Sequence, residues 1–191
     1  MADRRAEIVE AAWRVIVRDG LERTSVRAVA RELGASTGVV SHHFANKDDL
    51  LITALEAVFE ETIDAAQAEA RSSTGLARIE NILVAALPTT EADRADWCVW
   101  VAFMGYSIGH EHLMAQHQQR YNRLQEFLLG EFHVLQQTGV LHPALDLEAE
   151  VLSLIALIDG IGIGAVVSVD RFPSDLQRTL VQHHLVRLAS G

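Results

Sequence analysis

The sequence predicts an all-α fold of about nine helices in two domains. Three observations carry that prediction. Apolar residues recur at helical spacing, with almost no two-residue alternation. Only three prolines interrupt 191 residues. Most apolar-periodic runs end at Gly, Pro or a Ser/Thr-rich break, where helices stop. With 49% of residues apolar and 22% charged, the composition is that of a globular protein able to bury a sizeable core.

The first helix is predicted from about Asp3 to Arg18, with Ile8, Ala12, Val15 and Ile16 on its inward stripe and Gly20 as its stop. Ser25 caps a second helix whose apolar face is Val26, Val29, Ala30 and Leu33. Gly34-Ala35-Ser36 allows only a tight turn before a third helix carrying Val39, Val40 and Phe44. Small Ala30 permits a close crossing and Val40 plugs it. This is the packing of a helix-turn-helix, whose second helix enters the major groove of DNA.

Asn46 and Asp49 form a capping-box pattern that opens a fourth helix at Lys47, continuing through Leu50, Leu51, Leu55, Val58, Phe59 and Ile63 to about Ala70. Residues 1–46 are thus the predicted DNA-binding domain, 47–70 a connecting helix and 71–191 a second domain. Five helices are predicted there, at about 76–87, 95–109, 111–137, 147–168 and 175–189. Their breaks fall at Pro88, Gly109, Thr138-Gly139 with Pro143, and Arg171-Phe172-Pro173, with Ser174 and Gln177 as a further capping box. The run from Val151 to Val169 is apolar on all sides, so it must be buried on all sides. A membrane span is disfavoured, because Asp159 at its middle would cost roughly 2.5–3.5 kcal/mol. Packing on its own domain and on a twin subunit fits better, with residues 147–189 forming the homodimer contact.

A net charge of −10 looks unsuited to DNA until its distribution is read. Residues 1–47 hold eight basic groups (Arg4, Arg5, Arg14, Arg18, Arg23, Arg27, Arg31 and Lys47) against six acidic ones, and the rest of the chain is strongly acidic. Such a body repels DNA and leaves the head to make contact. One cysteine, Cys98, allows no internal disulfide. The charged start from Asp3 offers no secretory apolar region, so a cytoplasmic location is expected.

With these elements placed, the N-terminal third resembles the TetR family of transcriptional repressors. Ile8-Val9-Glu10-Ala11-Ala12, Gly20, Thr24-Ser25-Val26, Ala30, Gly34, Ser36-Thr37-Gly38, His42-His43-Phe44 and Lys47-Asp48-Asp49-Leu50 fall at that family's spacing. The match spans about residues 4–60 and departs at Ile16, where an aromatic is usual, and at Ser41. The stretch Ser36–Phe44 and the element Leu157-Ile158-Asp159-Gly160 resemble the BetI-like branch. The resemblance implies a homodimer on a double-stranded operator, a C-terminal pocket for a small-molecule effector of unknown identity, and release from DNA when that ligand binds.

The recognition helix would present Ser36, Thr37, Gly38, Ser41, His42 and His43 to the groove. Gly38 allows close backbone approach, Thr37 and Ser41 offer hydroxyls, and His42 reaches a base edge or a thymine methyl. Thr24 and Ser25 offer hydroxyls and N–H groups to a phosphate, although Ser25 and Thr37 read equally as caps. Arg27 is a backbone or minor-groove contact or else a solvated arginine. Lys47, the only lysine, sits at a helix start that favours an anion, and the resemblance implies a phosphate contact there.

Trp97, Trp100, Phe103, Met104, Tyr106 and Tyr121 cluster in sequence where the family keeps its cavity. The resemblance implies a ligand pocket at Trp97, Trp100, Phe103, Met104 and Tyr121, while packing explains any one of them alone. His110, His112 and His117 lack a ligating pattern and read as surface histidines. Gly160, Gly162 and Gly164 loosely match a dinucleotide fingerprint but lie within a helical run, where small residues at a close crossing fit better. No nucleophile–base–orienter set can be placed, so no enzyme, metal or cofactor is expected. A helical sensor that has lost DNA binding is the remaining class, and Thr37 and Lys47 argue against it.

Overall fold

The computed structural model describes residues 4–189, with backbone alone at 61, 62, 65, 66, 69 and 70. Among the described residues it holds nine α-helices: α1 (Arg4–Asp19), α2 (Val26–Glu32), α3 (Thr37–His43), α4 (Lys47–Ala70), α5 (Gly75–Ala85), α6 (Glu91–Ser107), α7 (Glu111–Gln137), α8 (Leu147–Val167) and α9 (Ser174–Leu188). A 3-10 turn at Val169–Arg171 joins α8 to α9. The fold class is all-α, as the periodicity predicted.

Most helix ends follow from local chemistry. Ser25 caps α2, its hydroxyl accepting from the Ala28 N–H at 3.2 Å. At the far end of α2 the chain turns through Gly34 (φ +63°), a left-handed conformation that strains any residue with a Cβ. At the start of α4, Asn46 accepts from the Asp49 N–H and Asp49 accepts from the Ala45 N–H, each at 2.9 Å. Helix α6 begins four residues before its predicted start. Thr90 and Asp93 cap it reciprocally, at 2.9 and 3.2 Å, so the helix starts right behind the Pro88 break.

The chain packs as two compact units, residues 1–61 with 98–117, and residues 62–97 with 118–191. The division falls inside α4, α6 and α7, rather than at residue 71, where the sequence reading begins the second domain. In the first unit, Ile8, Ala12, Val15 and Ile16 of α1 meet Val29 and Ala30, Val40 and Phe44, and Leu50, Leu51 and Leu55. Val99, Phe103 and Leu113 belong to the same core. Each Val, Leu, Ile or Phe among them contributes roughly 1.5–3 kcal/mol on full burial. Arg14 and Arg18 both reach Glu32, at 3.1 and 2.7 Å, and clamp α2 onto α1.

In the second unit, Ile79 and Leu83 of α5, Leu128 and Phe132 of α7, Val151 and Leu154 of α8, and Val181 and Leu185 of α9 share one core. Arg78 and Glu131 tie α5 to α7 through two hydrogen bonds of 2.9 and 3.0 Å. Helix α8 is long and apolar enough to cross a membrane by length and composition, with a mean hydropathy of 2.0. Its inner side packs into the core, and the predicted burial on all sides does not hold for the single chain. Leu152 and Val167 stand 54% and 73% exposed. Of the three glycines of α8, Gly162 and Gly164 lie under aromatic rings, whereas Gly160 is exposed with open space at its Cβ position. A Cβ on Gly162 would lie 2.0 Å from the Trp97 ring, and one on Gly164 would lie 2.6 Å from Phe172. Gln177 does not cap α9, which starts behind Pro173 without a side-chain cap; its amide is turned into the unit.

Candidate nucleic-acid interface and effector region

The recognition helix is positioned by its own inner face. Val40 is 0% and Phe44 1% exposed, and Arg5 lies over the Phe44 ring at 5.1 Å. With those two side chains fixed inward, the 3.6-residue repeat turns Thr37, Gly38, Ser41 and His42 outward, and all four are exposed. Ser36 precedes the helix in extended conformation, and its hydroxyl makes no capping bond. His43 is half-buried and meets His42 edge-on at 5.2 Å. The exposed surface therefore offers three hydroxyls, one imidazole and an open backbone position, a set suited to base edges and phosphates.

Two residues expected at the DNA are already engaged within the fold. Thr24 is 1% exposed; its hydroxyl donates to the Gly20 carbonyl at 2.8 Å and its N–H to the Leu21 carbonyl at 3.2 Å. Its polar groups hold the α1–α2 turn and are withdrawn from any phosphate. Lys47 is half-buried. Its ammonium donates to the Glu22 carbonyl at 3.2 Å and sits 5.4 Å from the centre of the Tyr106 ring. Tyr106 in turn donates to Asp48 at 3.2 Å, and burial pushes its phenol above the usual range. Two ammonium protons of Lys47 remain for another acceptor.

The positive charge of the head is narrower than its arginine count suggests. Arg14 and Arg18 are paired with Glu32, and the two arginines hold the Glu32 carboxyl below its ordinary range. Arg23, Arg27 and Arg31 are exposed and pair with no carboxylate among the described residues. Arg27 and Arg31 lie one turn apart on α2 and so share a face. Arg31 was not singled out by sequence reasoning; its i, i+4 spacing from Arg27 was the available signal.

The side chains expected at a ligand pocket divide between the two units. Trp100, Phe103 and Met104 fall in the first. There Phe103 is 1% exposed in the core, and Trp100 stacks on Phe103 at 6.2 Å and meets His117 at 5.2 Å. Trp97 and Tyr121 fall in the second. The Trp97 indole N–H donates to the Ala86 carbonyl at 2.9 Å while its ring covers Gly162. The Tyr121 hydroxyl donates to Asp159 at 2.6 Å. Asp159 is partly buried, and no basic side chain among the described residues pairs with it. Burial raises its carboxyl above the ordinary value, and the Tyr121 hydrogen bond only partly opposes that shift. His110 stacks on Tyr106 at 4.8 Å, and no metal-holding group of three ligands occurs among the described residues.

Residues 8–54 match the profile of the bacterial regulatory proteins of the tetR family, and residues 75–190 match that of the BetI-type transcriptional repressor C-terminal region. The chain belongs to the TetR family of transcriptional regulators. This regulator is 32% identical over 185 residues to the HTH-type transcriptional regulator PksA of Bacillus subtilis, covering 94% of this chain and 87% of that one. It is also 32% identical over 160 residues to the regulator BetI of Burkholderia thailandensis, covering 83% and 79%. Among solved structures, a putative transcriptional regulator from Saccharomonospora viridis in complex with choline superposes with a TM-score of 0.85 at 26% identity, covering 97% and 96%. The regulator is of a family that does not consist of enzymes.

Proposed function

We propose that this regulator is a cytoplasmic repressor that binds a pseudo-palindromic operator as a homodimer and is released by a small organic cation. The observation that carries the DNA reading is the outward face of α3. Thr37, Gly38, Ser41 and His42 stand exposed while Val40 and Phe44 lock the helix from behind. Two such helices would enter successive major grooves, roughly 34–36 Å apart. Arg27, Arg31, Lys47 and the hydroxyls of Ser25 and Ser36 would hold phosphates on either side.

The dimer reading is supported by the uncovered apolar stripe of α8 and α9. Leu152, Ile163 and Val167 stand exposed with Ala156 and Gly160 between them, and Leu176 and Val186 are exposed on α9. A second copy of the same stripe would cover it. The effector reading rests on Asp159. A carboxylate removed from water without a cationic partner favours a ligand that supplies one, and the Tyr121 ring and hydroxyl lie beside it. The S. viridis relative holds choline, a cation of that class. Release then requires only that the cation bind better to the state that does not fit DNA.

The test is an anisotropy titration of the protein against the DNA upstream of its own gene, at two salt concentrations and with unrelated competitor DNA, repeated with choline as the probe. Tight, competitor-resistant binding that weakens with salt and is reversed by choline supports the reading. Binding no tighter than to competitor overturns the operator assignment, and binding indifferent to choline overturns the choline-type effector.

A further inference from the structure

We infer that Arg5 is a positioning residue for DNA recognition, acting through Phe44 and Thr53 to fix the joint between α3 and α4. The inference rests on the DNA-binding role proposed for α3. It adds a residue of α1 that works without touching the DNA.

Helix α3 has little of its own to hold its direction. It spans seven residues, Val40 is its buried side chain, and Phe44 follows it in extended conformation (φ −133°, ψ 126°). Ala45 and Asn46 then lead into α4. So short a helix is not stable alone. Beyond the Val40 plug, its direction depends on what grips the stretch from Phe44 to Asn46.

Arg5 grips that stretch from both sides. Its guanidinium carbon lies 5.1 Å from the centre of the Phe44 ring, within cation–π range. Its Nη2 donates to the Thr53 hydroxyl of α4 at 3.3 Å. Thr53 donates to the Asp49 carbonyl at 2.9 Å, and the Asp49 carboxylate accepts from the Ala45 N–H at 2.9 Å. The contacts thus return to the residue after Phe44 and close a ring around the joint. A planar guanidinium suits this place, because it faces an aromatic ring and keeps N–H groups at its edge for a hydroxyl. Arg5 is exposed, so its charge stays in water and the contact carries little desolvation cost.

Base readout depends on helix direction more than phosphate attraction does. Base edges are met by directed hydrogen bonds, whereas phosphates also act through charge alone. Loss of the Arg5 contacts should lower the population whose α3 is set for the groove, and apparent affinity falls with that population.

The experiment is anisotropy titration of the full chain on its operator and on unrelated DNA over a salt series. Wild type is compared with Arg5→Gln, Phe44→Leu and the double variant. Arg5→Gln should weaken operator binding about three- to fivefold, with the affinity for unrelated DNA and the salt slope nearly unchanged. In the Phe44→Leu background the same change should cost less than about twofold, because the ring through which Arg5 acts is gone. If Phe44→Leu does not fold, Arg5→Gln decides alone, through its salt slope and its ratio of operator to unrelated affinity. A slope lower by about one makes Arg5 a phosphate contact and overturns the inference. So does unchanged operator affinity, which leaves Arg5 a structural residue of the head whatever the melting temperature does. Wild type that binds its operator no tighter than unrelated DNA overturns the operator reading itself, and this inference falls with it.

Discussion

The ammonium of Lys47 lies 5.4 Å from the centre of the Tyr106 ring while donating to the Glu22 carbonyl at 3.2 Å. The single lysine is thus held in place by the fold and keeps donors for a phosphate. Its preorganisation removes some of the side-chain entropy that a free lysine loses on contact. Lys47→Ala should weaken binding to every DNA sequence alike and lower the salt slope by about one. Tyr106→Ala should produce a smaller, equally sequence-blind loss, because the face that steadies the ammonium is gone. Anisotropy titrations across a salt series check both. An unchanged slope in Lys47→Ala would leave the residue as a brace between Glu22 and Tyr106.

Thr24 and His42 are separated by what their side chains do. Thr24→Val should cost stability, about 1 kcal/mol for the hydrogen bond to Gly20, with operator preference unchanged. His42→Ala should change which operator variant binds best while the melting temperature stays nearly constant. Melting curves and a panel of single-base operator variants distinguish the two. A Thr24→Val variant with full stability and lost DNA affinity would return Thr24 to the interface.

The head was legible because burial there follows the helical repeat. Val40 and Phe44 fall on the inner face that spacing assigns them, and the surface that leaves outward is the candidate interface. What charge counting alone missed was pairing across helices. Arg14 and Arg18 meet Glu32 from fourteen to eighteen residues away, a relation no local pattern reports. Gln177 misled for a related reason. Ser174 followed three residues later by glutamine is the pattern of a capping box and equally that of an interior glutamine bonded to distant carbonyls. The uniform hydropathy of α8 hid a division into a core side and an uncovered stripe, because Leu, Ile and Val serve both.

Gly162 and Trp97 form a size-matched pair. A methyl at Gly162 would lie 2.0–2.4 Å from the indole ring, so Gly162→Ala should displace the ring and destabilise the protein by roughly 1–3 kcal/mol. In a Trp97→Ala background the same change should be nearly neutral, since the clashing ring is absent and alanine has the better helix propensity. A double-mutant cycle on urea midpoints checks this coupling. Additive losses would show that the ring and the glycine act independently.

Asp159 gives the fold a specific pH dependence. Burial raises its folded pKa above the ordinary 3.8. As pH rises through 3.8 the unfolded chain ionises this group while the folded chain still holds its proton, so stability falls until the raised value is passed. Asp159→Asn removes that term. The variant should match wild type at the acid end of the range and become the more stable of the two as pH increases. A bound cation reverses the balance by favouring the carboxylate. Choline should therefore bind wild type more tightly with rising pH and bind Asp159→Asn weakly at every pH. Thermal melts with and without choline across the pH series read both effects. Parallel pH profiles for the two proteins would mean that Asp159 is not the group that titrates, and equal choline affinity would remove it from the effector site.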